Sequence, residues 1–291
     1  MTQDADTPTS EAPVEPKPRK PRRHCNELDG KRWLQNSISV WGDLRKTTEE
    51  ARLKHPAMFP AALVERLIET FLAPEASLVL DPFAGSGSTI VTAAAMGKQG
   101  VGIELSAEYI ELANARLREL ASPTLFDEAP PSIRKSIIHH GSAADLFDFV
   151  EPDSVDLCIS SPPYWNILNQ RRSADLKSVR HYGNLDGDVG TIEDYEEFLD
   201  SITQVYADVF TALKPGAYCC IIVMDLRKKS RFFPLHSDLA SRLQPVGYIY
   251  DDLVIWNRQS EYNNLRPLGY PSVFRINKVH EFILLMQKPR A

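Results

Sequence analysis

Asp81-Pro82-Phe83-Ala84-Gly85-Ser86-Gly87-Ser88-Thr89 decides the fold, taken with Ser161-Pro162-Pro163-Tyr164-Trp165 further along the chain. Residues 77–80, just before the first stretch, read as a short buried strand, and residues 89–96 after it read as a helix rich in small side chains. Gly85 and Gly87 carry no Cβ, so the backbone between strand and helix can bend sharply and come close to a ligand. A strand, a glycine turn and a helix in this order suit an adenosine-type cofactor.

Three ligands compete for such a turn. A phosphate-cradling loop would end in Gly-Lys-Ser/Thr, whereas Gly87 is followed by Ser88 and Thr89. A dinucleotide fingerprint wants Gly or Ala three residues after its second glycine, where Ile90 stands. S-adenosylmethionine has no phosphate and needs close backbone approach plus polar anchors for its amino acid and ribose. Glu104 supplies the ribose anchor. It ends a second expected strand, 100–103, where an acidic side chain can accept from both ribose hydroxyls.

The turn at 81–89, Gly-Ile-Glu-Leu-Ser at 102–106 and Ser-Pro-Pro-Tyr at 161–164, in that order, resemble the amino-methyltransferases of nucleic acids, which methylate exocyclic amines of cytosine or adenine. The resemblance covers roughly residues 31–291. It implies an α/β, Rossmann-like class I methyltransferase fold: a seven-stranded, mostly parallel sheet with one antiparallel edge strand and helices on both faces. The cofactor it implies is S-adenosylmethionine. Cofactor contacts are expected from His55, Pro56 and Phe59 in a His-Pro loop at a helix start, and from Asp81, Pro82, Phe83, Gly85, Ser86, Gly87 and Ser88 of the turn. Glu104, Leu105 and Ser106 follow, and the resemblance puts Asp145 and Leu146 beside the adenine ring.

The amine of a nucleobase is a poor nucleophile because its lone pair is delocalised into the ring. Ser161 and the backbone carbonyl near Pro162 can accept both amine hydrogens and aim the lone pair at a methyl carbon. Pro162 and Pro163 lock φ, so these acceptors are set before reaction. Tyr164 offers a ring for the base to stack on, worth about 1–3 kcal/mol. A base in duplex DNA must leave the helix to reach it, which costs a few kcal/mol. The sulfonium carries its own leaving group, so no metal is needed. Serine in the first motif position resembles the cytosine N4 enzymes, whereas Asp or Asn there resembles the adenine N6 enzymes. The expected activity is therefore site-specific DNA cytosine N4-methylation by in-line transfer. Adenine N6 methylation, RNA base methylation and a catalytically silent nucleic-acid-binding relative are the alternatives.

At 291 residues, with 43% hydrophobic and 25% charged residues, the composition is that of an ordinary globular protein. The longest apolar run, 217–224, is far short of the roughly 20 residues of a membrane span. The polar N-terminus lacks the apolar core of a secretory signal, so a cytoplasmic protein associated with chromosomal DNA is expected. Cys25, Cys158, Cys219 and Cys220 show no Cys-x-x-Cys spacing, and the last three read as buried thiols. The net charge of -6 runs against a polyanion, but its distribution does not. Arg171, Arg172, Lys177 and Arg180 follow the Pro-Pro motif, and Arg227, Lys228, Lys229 and Arg231 follow an expected strand. Arg171, Arg172, Lys177, Arg180, Arg227, Lys228 and Arg258, with Trp165 as a wall or wedge, are the candidates for contact with double-stranded DNA. The resemblance also allows a cognate restriction endonuclease as partner, with either a monomer or a dimer.

Residues 1–27 are rich in Pro, Glu and Lys/Arg and read as a disordered tail, leaving 28–291 as one catalytic domain. Further strands are expected at 136–140, 155–159, 217–224, 248–256 and 279–287, the last two pairing antiparallel at a sheet edge. Helices are expected near 61–71, 107–120, 193–213 and 236–244, with a turn at 214–216. Little room remains for a separate recognition domain. Loops at about 166–192, 227–235 and 257–276, the last with Gln259, Asn263, Asn264 and Arg266, are left to read a short DNA sequence.

Overall fold

A computed structural model of the chain describes residues 24–48, 50, 58–122, 133, 135–165, 188–262, 265 and 267–290. Helix α1 (Gly30–Asn36) and strand β1 (Val40–Trp41) lead into α2 (Ala61–Phe71), β2 (Leu78–Asp81), α3 (Ser88–Ala95) and β3 (Gln99–Glu104). Then come α4 (Ala107–Ala121), β4 (Ile137–His140), β5 (Val155–Ser160), α5 (Tyr195–Ala212) and β6 (Leu213–Val223). A small hairpin, β7 (Leu226–Lys228) and β8 (Arg231–Phe233), precedes α6 (Leu235–Leu243), β9 (Ile249–Asn257) and β10 (His280–Gln287).

Among the described residues the main sheet has eight strands in the order β4-β3-β2-β5-β6-β10-β9-β1. The sheet is mostly parallel, as expected, but two details differ. The eighth strand is β1, whose Val40 and Trp41 pair with Ile255 and Trp256 of β9. Two residues carry no readable periodicity, so the sequence alone predicts no strand there. The antiparallel strand is also not at an edge: β10 is inserted between β6 and β9 and pairs with both. Its run Ile283 to Met286 is buried throughout, the pattern of a strand covered on both faces rather than an alternating edge. The 214–216 segment is likewise not a free turn but a bulge in β6. Val155 pairs with Leu213 and Leu157 with Tyr218, so the register slips there, and Gly216 takes φ 84.

Successive residues of the central strands face opposite layers. Val79, Leu157, Ile159, Cys220, Ile222 and Ile283 pack with Leu63, Val64, Leu67 and Ile68 of α2 on one face. Leu80, Cys158, Cys219, Ile221 and Leu284 pack with Phe198, Ile202, Tyr206 and Val209 of α5 on the other. Each large aliphatic or aromatic side chain buried this way contributes about 1.5–3 kcal/mol. Helices therefore cover both faces. Burial pushes the Cys158 and Cys220 thiols well up, as inert core groups.

Strand β2 lies between β3 and β5, so the chain winds one way through β3 and β4 and the other way through β5 and β6. At such a reversal the carboxyl ends of the strands leave a crevice. Residues 1–23 of the expected tail lie outside the described residues. Asn26, inside the 1–27 boundary, is buried and its amide donates to the Thr70 carbonyl at 2.9 Å. No helix among the described residues is long and apolar enough to cross a membrane.

Candidate active site

The turn after β2 requires its glycines. Gly85 (φ 52) and Gly87 (φ 77) are left-handed, and a Cβ on Gly87 would stand 2.7 Å from the Cβ of Ala113. Asp81 holds the turn from beneath, accepting from the Phe83 N–H at 3.1 Å and the Thr89 hydroxyl at 2.7 Å. Neither Asp81 nor Gly87 lines the cavity above; both shape the turn beneath it. Burial pushes the Asp81 carboxyl up to about 7, against the opposing pull of the Thr89 and Phe83 hydrogen bonds. Between the ordinary carboxylate range and pH 7, folded Asp81 keeps a proton that the unfolded chain has released. Its contribution to unfolding free energy therefore falls as pH rises through about 4 to 7. The wild-type urea midpoint should drop across that window relative to Asp81→Asn, whose amide does not titrate. Parallel pH profiles for the two proteins would remove this assignment.

Glu104 ends β3 and is fixed by the backbone on both oxygens. Oε2 accepts from the Gly85 N–H and Oε1 from the Ser106 N–H, each at 2.8 Å. Burial raises its pKa while these two donors resist the rise. The carboxylate thus ties the glycine turn to the start of α4, where Ser106 caps the helix. It still lines the cavity, with lone pairs left for a ligand.

That cavity, of about 630 Å³, is the junction of the two motifs. Its wall takes Pro82 to Ser86, Ser88, Glu104, Leu105 and Ser106 from one side and Ser161 to Trp165 from the other, with Phe59 also on it. Loops following β2 and β5 therefore face one space, which is within the range of about 300–1,000 Å³ typical of ligand clefts. Ser88 Oγ is buried on this wall with no hydrogen-bond partner among the described residues. An orphaned hydroxyl, the Glu104 carboxylate and apolar walls of Phe59, Phe83 and Ile103, with no Lys or Arg among the described lining residues, fit S-adenosylmethionine better than a phosphate-bearing cofactor.

Ser161 Oγ lies 3.1 Å from the Tyr164 hydroxyl, which donates to Glu281 Oε2 at 3.0 Å. Burial, followed by the Glu281 charge, raises the Tyr164 pKa and keeps it a phenol. Pro163 is backed by Gly190, where a Cβ would come within 3.3 Å of the proline ring. Trp165 (φ 50) is buried beside Tyr195 and Phe233, with ring centroids at 5.3 and 5.0 Å, so it serves as a wall and not as an exposed wedge.

Several expected site residues lie elsewhere. Leu146 is fully buried in the core, and Asp145 is exposed and off the cavity wall, where Ser142, Ala143 and Ala144 stand instead. The tight 3₁₀ turn Ala143–Asp148 swings Leu146 inward and Asp145 out. Arg258, expected at the DNA, is engaged within the protein. Its guanidinium is held between Glu281 and Glu261 and lies 4.7 Å over the Trp256 ring. Burial would lower its pKa, but the two carboxylates outweigh it and raise it. Arg227 and Lys228 sit on the β7–β8 hairpin, Arg227 donating to the Ser230 carbonyl at 3.1 Å and Lys228 Nζ lying 3.9 Å over the Trp165 ring. His55, Pro56, Arg171, Arg172, Lys177, Arg180, Asn263, Asn264 and Arg266 lie outside the described residues. Sequence reasoning missed Asp188, Val189, Gly190 and Gln204, which line the cavity, and Glu281 behind Tyr164. Glu281 alone had a signal, as a carboxylate at the head of an otherwise apolar strand.

A reversed strand inside a parallel sheet, with a glycine turn and a Ser-Pro-Pro-Tyr loop over its switch point, defines an α/β methyltransferase fold. The sequence profile of the N6_N4_Mtase family, described as DNA methylase, matches residues 4–115 and 155–291. The chain belongs to this family of S-adenosylmethionine-dependent enzymes. It is 38% identical over 109 residues to the Type II methyltransferase M.ScaI of Streptomyces caespitosus, covering 35% of this chain and 33% of that protein. To the Type II methyltransferase M2.DpnII of Streptococcus pneumoniae it is 42% identical over 79 residues, 27% of this chain and 29% of that one. The chain thus spans no more than 33% of the length of either relative. TTHA0409 of Thermus thermophilus, solved in complex with S-adenosyl-L-methionine, is similar at 28% identity over 52% of each chain, with a TM-score of 0.36.

Proposed function

We propose that this protein transfers a methyl group from S-adenosylmethionine to the exocyclic N4 amine of cytosine in double-stranded DNA, with the base swung out of the helix. The observation that carries the reading is that Gly85 and Tyr164, from loops after β2 and β5, line one cavity. Glu104 and the Ser88 hydroxyl would hold the cofactor's polar groups. Bound there, the cofactor supplies an electrophilic methyl carbon with its own leaving group. Ser161 accepts an amine hydrogen and aims the nitrogen lone pair, and Pro162 and Pro163 fix that acceptor in advance. The partly exposed ring of Tyr164 stacks on the extruded base. The basic β7–β8 hairpin, which reaches Trp165 through Lys228, is placed to meet DNA phosphates beside the cavity. Serine rather than an acid or amide at 161 favours cytosine over adenine.

Incubation with unmethylated DNA and S-adenosylmethionine, followed by digestion to nucleosides and chromatography, tests this. N4-methylcytosine is the expected product. N6-methyladenine alone would overturn the choice of base, and modified RNA with unmodified DNA would overturn the choice of substrate.

A further inference from the structure

We propose that Glu281 is a positioning residue that sets the direction of the Ser161 hydroxyl, turning its lone pairs toward the cavity; this rests on the methyl-transfer reading above. Glu281 is 5% exposed, opposite Trp256 in the β9–β10 pairing. A buried carboxylate at this place gives little stability that an apolar side chain would not. What it does is fix a chain of hydrogen bonds.

A carboxylate only accepts, so the single proton of the Tyr164 phenol points at Glu281 Oε2. Toward Ser161 the phenol oxygen can then only accept, and the Ser161 proton points at it across 3.1 Å. Ser161 lines the cavity, and the lone pairs left on its Oγ face away from Tyr164. An incoming amine therefore meets an acceptor and not a second hydrogen. Arg258 holds the far oxygen of Glu281 and is itself held by Glu261, from Nη2 at 2.7 Å and Nε at 3.2 Å. The polarity is thus set from β10, 117 residues beyond Tyr164.

Arg258 also makes the test decisive. In Glu281→Gln the introduced amide must turn its oxygen to Arg258, which only donates, and its NH₂ to Tyr164. Tyr164 then donates to Ser161, and the Ser161 hydrogen is driven toward the amine. Rates of methyl transfer to DNA and calorimetric binding of S-adenosylmethionine would be measured on the full chain. Glu281→Gln should lower kcat about 10- to 100-fold with KM and Kd for S-adenosylmethionine unchanged. Tyr164→Phe, which keeps the ring and leaves Glu281 in place, should lower kcat alike and guards against a Glu281→Gln protein that does not fold. In a Ser161→Ala background, where there is no hydroxyl to orient, Glu281→Gln should change the residual rate by less than about twofold. An undiminished kcat in Glu281→Gln, or an equal loss with and without Ser161, would overturn the proposal. A wild-type chain that binds S-adenosylmethionine yet methylates no nucleic acid overturns the functional reading, and this inference with it.

Discussion

Ser161→Ala should lower kcat for methyl transfer by about 100- to 1,000-fold, the usual cost of removing one preorganised hydrogen-bonding group from a reacting centre. The substitution deletes one oxygen whose recorded partner is the Tyr164 hydroxyl, and it disturbs no core packing. The cavity keeps its shape, and the cofactor wall formed by the glycine turn and Glu104 is untouched. Binding of S-adenosylmethionine, measured by calorimetry, should therefore match wild type while rapid-quench methyl transfer collapses. A variant with wild-type turnover would mean that the amine is not held by this hydroxyl.

Glu104→Ala should instead fail at the binding step. A ribose diol hydrogen-bonded to a carboxylate gains about 1.5–3 kcal/mol per bond, so losing both weakens S-adenosylmethionine binding by about 100-fold or more. The same change strands the Gly85 and Ser106 N–H groups, which both donate to Glu104. Unpaired buried donors cost about 1–3 kcal/mol each, so the melting temperature should fall as well. Glu104→Gln separates the two effects. It keeps the side-chain volume and one accepting oxygen, so it should restore part of the stability and little of the affinity. Calorimetry that finds wild-type affinity in Glu104→Gln would displace Glu104 from the ribose.

What the sequence made legible was local. Gly85 and Gly87 between a strand and a helix announce a turn because left-handed backbone there excludes other residues. Glu104 at the end of β3 and Ser161 just past β5 were legible because short apolar runs mark the strands and the Ser-Pro-Pro-Tyr motif follows the second of them. Properties set by distant partners were not legible. Arg258 reads as one more basic loop residue until Glu281 and Glu261 are seen on either side of it. Asp145 and Leu146 lie off the cavity because the 3₁₀ turn at 143–148 turns one side chain to solvent and the other into the core. Gly190 could not be linked to Pro163 from spacing, since that contact is made by two segments far apart along the chain. The position of β10 was half legible: its pairing with β9 was foreseen, its insertion beside β6 was not.

That insertion governs the order in which a nascent chain can finish folding. As the polypeptide leaves the ribosome, β6 and β9 emerge before the segment that joins them, and β9, with β1 beside it, stays detached until residues 280–287 arrive. The same late segment delivers the carboxylate behind Tyr164. A translation product cut short before residue 280 would carry the whole cofactor turn yet lack the carboxylate to which the Tyr164 hydroxyl donates.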